Sequence, residues 1–358
     1  MSHQQLIADA EAALAPAWSR LAEIVHFNTE KVLEAFHHFN IGDHHFAGTT
    51  GYGHDDLGRE ALENVFARVF KAEAALVRGQ FASGTHAIAT ALFGVLRPGD
   101  ELLAVSGHPY DTLEEVIGLR GEHQGSLADW GVRYRELDLT PEGRVDLAGL
   151  EAALRPETKV CAIQRSRGYS WRPSIGIDEL EAIIRRIRAV RPEMIIFVDN
   201  CYGEFTETRE PIEVGADLIA GSLIKNPGAG IVPMGGYVIG KADLVHACAC
   251  RFTAPGIGAA GGASLGANRL LFQGLFMAPH VVGEALKGAT LAARLFADLG
   301  YAVSPAWDEP RTDIIQSIRF EDPDKLIAFC QGIQASSPIN AYVTPIPDVV
   351  PGYEDAVV

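Results

Sequence analysis

The stretch Ile-Ile-Phe-Val-Asp-Asn-Cys-Tyr-Gly-Glu-Phe (195–205), followed by Val-Gly-Ala-Asp-Leu-Ile-Ala-Gly-Ser-Leu-Ile-Lys-Asn-Pro-Gly (214–228), decides how the chain is read. Its first apolar, β-branched run has the length of a strand and ends on Asp199. The second apolar run ends on Ser222 and Lys225, with a Pro-Gly turn behind it. Two strands thus deliver a carboxylate and an amine to their ends. In an open α/β sheet, ligands bind at the carboxyl ends of the strands, so Asp199 and Lys225 are candidate site residues.

An acid and a lysine in those places suit pyridoxal phosphate (PLP), whose aldehyde needs a lysine and whose ring nitrogen stays protonated beside an aspartate. The spacing and flanks resemble the PLP-dependent fold-type-I enzymes of the cystathionine/methionine lyase group. In that group a Val-Asp-Asn aspartate precedes a Gly-Ala-Asp…Ser-x-x-Lys lysine, as Val198-Asp199-Asn200 precedes Gly215-Ala216-Asp217…Ser222-Leu-Ile-Lys225 here. The branch most similar to this chain is known as methionine γ-lyase-like, or aluminium resistance, proteins. The resemblance implies an α/β fold of the aspartate aminotransferase-like type. Its large domain has a mainly parallel sheet flanked by helices, and a smaller α/β domain follows.

The chain has 358 residues, 47% of them hydrophobic, enough for a sizeable core and about two domains. A formal charge of −16 leaves no basic stripe for nucleic acid or an anionic membrane, which points to a small soluble substrate. Five cysteines at irregular positions, with no Cys-x-x-Cys pair, favour reduced thiols. The polar N-terminus lacks the basic start and apolar core of a signal peptide, and no run has the length of a membrane span, so a cytoplasmic location is expected. The histidines at 37, 38, 44, 45 and 54 follow neither the spacing of a structural zinc site nor a helical His-Glu-x-x-His, and no metal is expected.

Along the chain, apolar residues at helical spacing over 5–40, interrupted by Pro16, predict two helices with a kink. The glycine-punctuated loop Gly48-Thr-Thr-Gly-Tyr52-Gly-His-Asp-Asp56-Leu-Gly-Arg59 runs into an amphipathic helix that Asp55 or Asp56 caps. By the resemblance, this loop lies against a neighbouring subunit's site, where Tyr52 touches the cofactor phosphate. By the same resemblance Arg59 is the arginine counterpart, although it lies farther from the tyrosine than in the better-known lyases. Next, Ser83-Gly84-Thr85 opens an Ala-rich helix after a short strand. Its free N–H groups and positive end favour a phosphate, and it resembles the lyases' Ser-Gly-x-x-Ala cup. Tyr110 follows the next strand and is placed as the aromatic group on the cofactor ring.

Strands are also read at 130–137 and 158–164, around a helix at 146–154. The arginines in Arg165-Ser166-Arg167-Gly168-Tyr169-Ser170-Trp171-Arg172 depart from the lyases' segment. A forked guanidinium suits a carboxylate, so Arg165 and Arg167 are candidate substrate-binding residues. An Ala/Gly/Leu-rich segment from about 264 to 299 reads as a long helix that Ala278-Pro279 kinks or divides. Residues 311–320 alternate like a strand, and 323–333 read as a helix. The expected organisation is an N-terminal helical segment (1–46), a large PLP-binding domain (47–260), a connecting helix (261–299) and a small C-terminal domain (300–358). By the resemblance, the family continues with a β-rich stretch that bears a carboxylate-gripping arginine, so this last domain is expected to be incomplete.

These implications add up to a PLP-dependent carbon–sulfur lyase acting on a sulfur-containing amino acid. Lys225, Tyr110 and Asp199 would be catalytic; Ser83, Gly84, Thr85, Ser222 and Tyr52 would complete the cofactor site. Sharing Tyr52 between subunits implies a homodimer or homotetramer. An aminotransferase or other fold-type-I enzyme, and a PLP-binding protein without turnover, remain alternatives, since the α-carbanion is common to many PLP reactions. No G-x-G-x-x-G follows the first strand, which argues against a nicotinamide enzyme.

Overall fold

A computed structural model of the chain describes residues 2–121, 124–349 and the backbone of 356 and 357; the remainder of the expected small domain, 350–355 and 358, lies outside the described residues. Helices and strands alternate as α1 (His3–His38), α2 (Leu57–Val69), β1 (Ala74–Arg78), α3 (Gly84–Val95), β2 (Glu101–Ala104), α4 (Asp111–Ile117), β3 (Arg133–Glu136), α5 (Leu147–Ala153), β4 (Thr158–Gln164) and α6 (Ile177–Val190). They continue as β5 (Ile195–Asp199), β6 (Leu218–Ser222), β7 (Gly236–Gly240), α7 (Ala242–Phe252), α8 (Asn268–Asp298), β8 (Ala302–Ser304), β9 (Ser317–Arg319) and α9 (Pro323–Ala335).

Seven strands form one sheet in the order β1-β7-β6-β5-β4-β2-β3. Within it β7 alone runs against its neighbours; the other pairings are parallel. Parallel strands joined through helices bury both faces, and the strand sequences show it. Ile196, Val198 and Ile219 enter one core layer with Leu62 of α2, Leu180 of α6 and Phe272 of α8. The intervening Phe197, Leu218 and Ala220 enter the other, with Ile88 of α3 and Val245 of α7. On α6 the buried Ile177, Leu180, Ile184 and Ile187 recur every three or four residues. Each such side chain, once fully buried, contributes about 1.5–3 kcal/mol. This topology brings the carboxyl ends of β1 to β6 to one edge of the sheet.

Three local expectations are corrected. Pro16 lies inside one continuous α1 where two helices are expected, and Pro279 does not divide α8, which leaves only the kinked form of that expectation. Each proline forfeits a backbone hydrogen bond, but the packing of the two long helices on one another offsets that loss. Trp18 Nε1 donates to Thr290 Oγ1 (3.0 Å), and a Cβ on Gly283 would overlap Val25. In residues 311–320 only 317–319 pair as a strand, against β8. The preceding residues are held by side chains instead: Ser166 Oγ donates to Asp313 Oδ2 (2.9 Å), and the Ser174 and Thr312 hydroxyls meet at 2.7 Å. Among the described residues no helix is long and apolar enough to cross a membrane.

Candidate active site

The edge of the sheet is shaped first by the start of α3. Ser83 has extended backbone and caps the helix, its Oγ accepting from His86 N (3.0 Å). Gly84 allows α3 to abut β6, since a Cβ there would lie 3.1 Å from Ser222 Cβ and 3.4 Å from Cys201 Sγ. Thr85 Oγ1 lies 3.2 Å from Tyr110 Oη and 3.1 Å from Thr112 Oγ1. The first turn of α3 and the loop after β2 are thereby tied together, with the Tyr110 hydroxyl anchored to the cup. The unpaired N–H groups of a helix start are suited to an anion.

Opposite this cup stand Asp199 and Lys225. Asp199 ends β5, is buried, and accepts from Cys201 N at 3.1 Å. Burial raises its pKa, an effect that Lys225 opposes. Lys225 follows β6 and places Nζ 3.9 Å from the centre of the Tyr202 ring. Desolvation lowers the pKa of this amine, but Cys201, Tyr202 and Asp199 outweigh it, and the net shift is upward. Burial, and then Asp199, push the Tyr110 phenol upward, keeping it protonated.

These side chains enclose a cavity of about 290 Å³. Ser83, Gly84, Thr85, Tyr110, Asp199, Ser222 and Lys225 all line it. Thr112, Cys201, Tyr202, Ser166, Tyr169 and Ile315 do so as well, and sequence reasoning had not singled them out. Tyr202 had a signal, a tyrosine three residues past Asp199 in the same turn. Ile315 had none, because the contact depends on how residues 311–316 dock.

Four expected residues stand outside this cavity. Tyr52 is 84% exposed, with its ring 5.8 Å from that of His54. Arg59 is buried and donates to the carbonyls of Gly53 (2.5 Å) and Gly262 (2.7 Å), bracing the Tyr52 loop, whose Tyr52 carbonyl also accepts from Gly262 N (2.9 Å). Arg165 is fully buried against Asn200, Gly203 and Glu207. Arg167 donates to Ser304 O and Oγ, both at 2.9 Å. From this arginine-rich loop it is Ser166, Gly168 and Tyr169 that reach the cavity.

The mainly parallel sheet, with helices on both faces and this cavity at its edge, is the architecture of the PLP-dependent lyases of fold type I. A crystal structure from Listeria monocytogenes, provisionally described as a cystathionine β-lyase involved in aluminium resistance, superposes with a TM-score of 0.97 at 51% identity, over 99% of this chain and 87% of that one. One from Clostridium novyi, described as a carbon–sulfur lyase involved in aluminium resistance, gives a TM-score of 0.94 at 46% identity, over 97% and 83%. The chain belongs to the methionine γ-lyase family, whose pattern matches residues 3–358. It is 53% identical to the uncharacterised protein YnbB of Bacillus subtilis over 98% of this chain and 83% of that protein. With an L-methionine γ-lyase of Pseudomonas putida it shares 29% identity over 56% of this chain and 46% of that one.

Membership of this family implies PLP, and the donors around the cavity fit it. The helix start with Ser83, Gly84 and Thr85 matches a phosphate, the buried Asp199 a protonated ring nitrogen, the Lys225 amine an aldehyde, and Tyr110 a ring face.

Proposed function

We propose that this chain is a PLP-dependent carbon–sulfur lyase. It removes the α-proton of a sulfur-containing amino acid of the cystathionine, cysteine or methionine type and releases a thiol from Cβ or Cγ. Water then completes the conversion of the remainder to a 2-oxo acid and ammonia. The observation that carries the reading is the meeting of Lys225 and Asp199, from the ends of β6 and β5, with the α3 cup in one cavity. Bound PLP supplies an electron sink for charge developing at the substrate α-carbon.

The chain's own residues do the rest. Ser83, Gly84 and Thr85 bind the phosphate. Asp199 holds a proton on the ring nitrogen, and that cation offsets the cost of burying its carboxylate. Tyr110, tethered through Thr85, covers the ring face. Lys225 Nζ would hold the cofactor aldehyde, and its free amine would take the α-proton. Tyr169 and Ile315, which line the same cavity, would contact the substrate side chain. A second copy of the chain supplies Tyr52 to the phosphate, which makes the working form a cytoplasmic homodimer or homotetramer. Support comes from the exposure of Tyr52 on a loop that Arg59 braces. Full cofactor occupancy in a monomer would remove this part of the reading.

The test is the visible absorbance of PLP-treated protein before and after borohydride, with Lys225→Ala alongside. A band that borohydride abolishes and the variant lacks, followed by release of 2-oxo acid, ammonia and thiol from cystathionine, cysteine or methionine, is the expected result. Amino-group transfer without ammonia would identify an aminotransferase instead.

A further inference from the structure

The turn after β5 is built around a buried arginine. Arg165 Nη1 donates to Asn200 Oδ1 and to Gly203 O, each at 2.9 Å, and Nη2 donates to Glu207 Oε2 at 2.6 Å. Gly203 packs closely against that guanidinium, for a Cβ there would lie 2.6 Å from Nη1. Beyond it, Phe205 N donates to Glu210 Oε1 (3.0 Å) and Thr206 Oγ1 to Gly203 O (2.7 Å). On the near side, Cys201 N is held by Asp199. Between these anchors Tyr202 adopts a left-handed backbone, φ +70°, which is unfavourable for a tyrosine and persists where its surroundings over-determine it. That conformation turns the face of the ring toward Lys225 Nζ, 3.9 Å from its centre.

An ammonium over an aromatic face is attracted by the ring quadrupole, more strongly when water is excluded. The other titratable groups facing Lys225 are Asp199, Cys201, Glu204 and Tyr110. Burial pushes Glu204 up to about 8 and holds the Cys201 thiol and Tyr110 phenol above their usual ranges. These shifts favour the uncharged forms of all three, which leaves Asp199 and the Tyr202 side chain, through its ring face and its hydroxyl, as the ammonium's partners. We propose that Tyr202 is the positioning residue of Lys225: its ring face holds the lysine's ammonium whenever that amine is not bonded to cofactor, and Arg165 sets the turn that aims the ring. The inference rests on Lys225 being the cofactor lysine, and it gives the buried arginine a role that never touches substrate.

The test uses cofactor-free protein and follows the acetylation of Lys225 by competitive labelling and mass spectrometry across a pH series. The exposed Lys159 in the same sample is the internal standard. Tyr202→Leu should move the Lys225 profile down by about one pH unit, a tenfold loss of proton affinity equal to about 1.4 kcal/mol. Tyr202→Phe, which keeps the ring, should stay within about 0.3 unit of wild type, because the cation–π attraction survives. An unchanged profile in the leucine variant would overturn the proposal. So would a phenylalanine variant that shifts as far as leucine, for the partner would then be the hydroxyl. Circular dichroism and thermal melts verify that the variants fold, and Tyr202→Met replaces leucine if that variant does not. If the labelling shift appears in a protein that never takes up PLP, the function proposed above fails while the ring contact stands. Normal PLP uptake with no labelling shift removes this inference alone.

Discussion

Replacing Gly84 by alanine separates cofactor binding from folding. Gly84 sits in the first turn of α3 with ordinary helical backbone, so alanine meets no conformational penalty there and is the better helix former by about 0.5–1 kcal/mol. The obstacle is space. The new Cβ would lie 3.1 Å from Ser222 Cβ, where carbon atoms normally rest about 3.5–4.0 Å apart. The start of α3 must therefore retreat from β6 by about 0.5 Å, carrying Ser83 and Thr85 with it. A misplacement of about 1 Å can cost about a hundredfold in a reaction rate, and the same scaling applied to the phosphate contacts gives about tenfold in affinity for about 0.5 Å. The expected outcome is a PLP affinity weakened about tenfold, read by titrating cofactor-free protein with PLP at its visible band, with a melting temperature within about 3 °C of wild type. Unchanged affinity would refute the assignment of this helix start to the phosphate. A large joint loss of affinity and melting temperature would show that the close approach of α3 to β6 serves folding rather than the cup.

Two further outcomes follow from packing and charge. Gly283→Ala forces a methyl group into Val25 where α1 meets α8, and overpacking of this kind costs about 1–3 kcal/mol; the urea midpoint should fall while PLP affinity per folded molecule stays unchanged. His108, two residues before Tyr110, lies 2.9 Å from both Glu136 and Glu114. Partial burial lowers its pKa, but hydrogen bonds to Glu136 and Glu114 outweigh this and the net shift is upward. Its stabilisation is therefore complete below the unfolded histidine's pKa, about 6.5, and disappears as pH rises through the higher folded value. Urea midpoints of wild type and His108→Gln should differ most below that pH and converge in alkali; a difference independent of pH would mean the ring acts through packing alone.

What the sequence determined by itself was whatever depends on a few neighbouring residues. Short continuous apolar runs that end on Asp199 and Ser222, a Pro-Gly turn behind Lys225 and a Ser-Gly-Thr helix start are local signals, and local backbone preference and run length suffice to place them. Those same signals misled at Pro16, where one helix runs through, and at Pro279 they left open a division that packing between helices distant in sequence prevents. They misled again at residues 311–316, where side chains from another loop take the place of a strand partner. Only the tertiary structure decided that six strand ends share one edge, since strand order is a matter of long-range pairing. Only it could distinguish the arginines. A guanidinium that faces a substrate and one saturated by buried carbonyls and carboxylates look the same in a sequence, and Arg165 is the second kind because its partners come from a turn 35 residues and more away. The aim of the Tyr202 ring at Lys225 has the same origin: the strain that turns it is sustained by contacts that exist only in the folded chain.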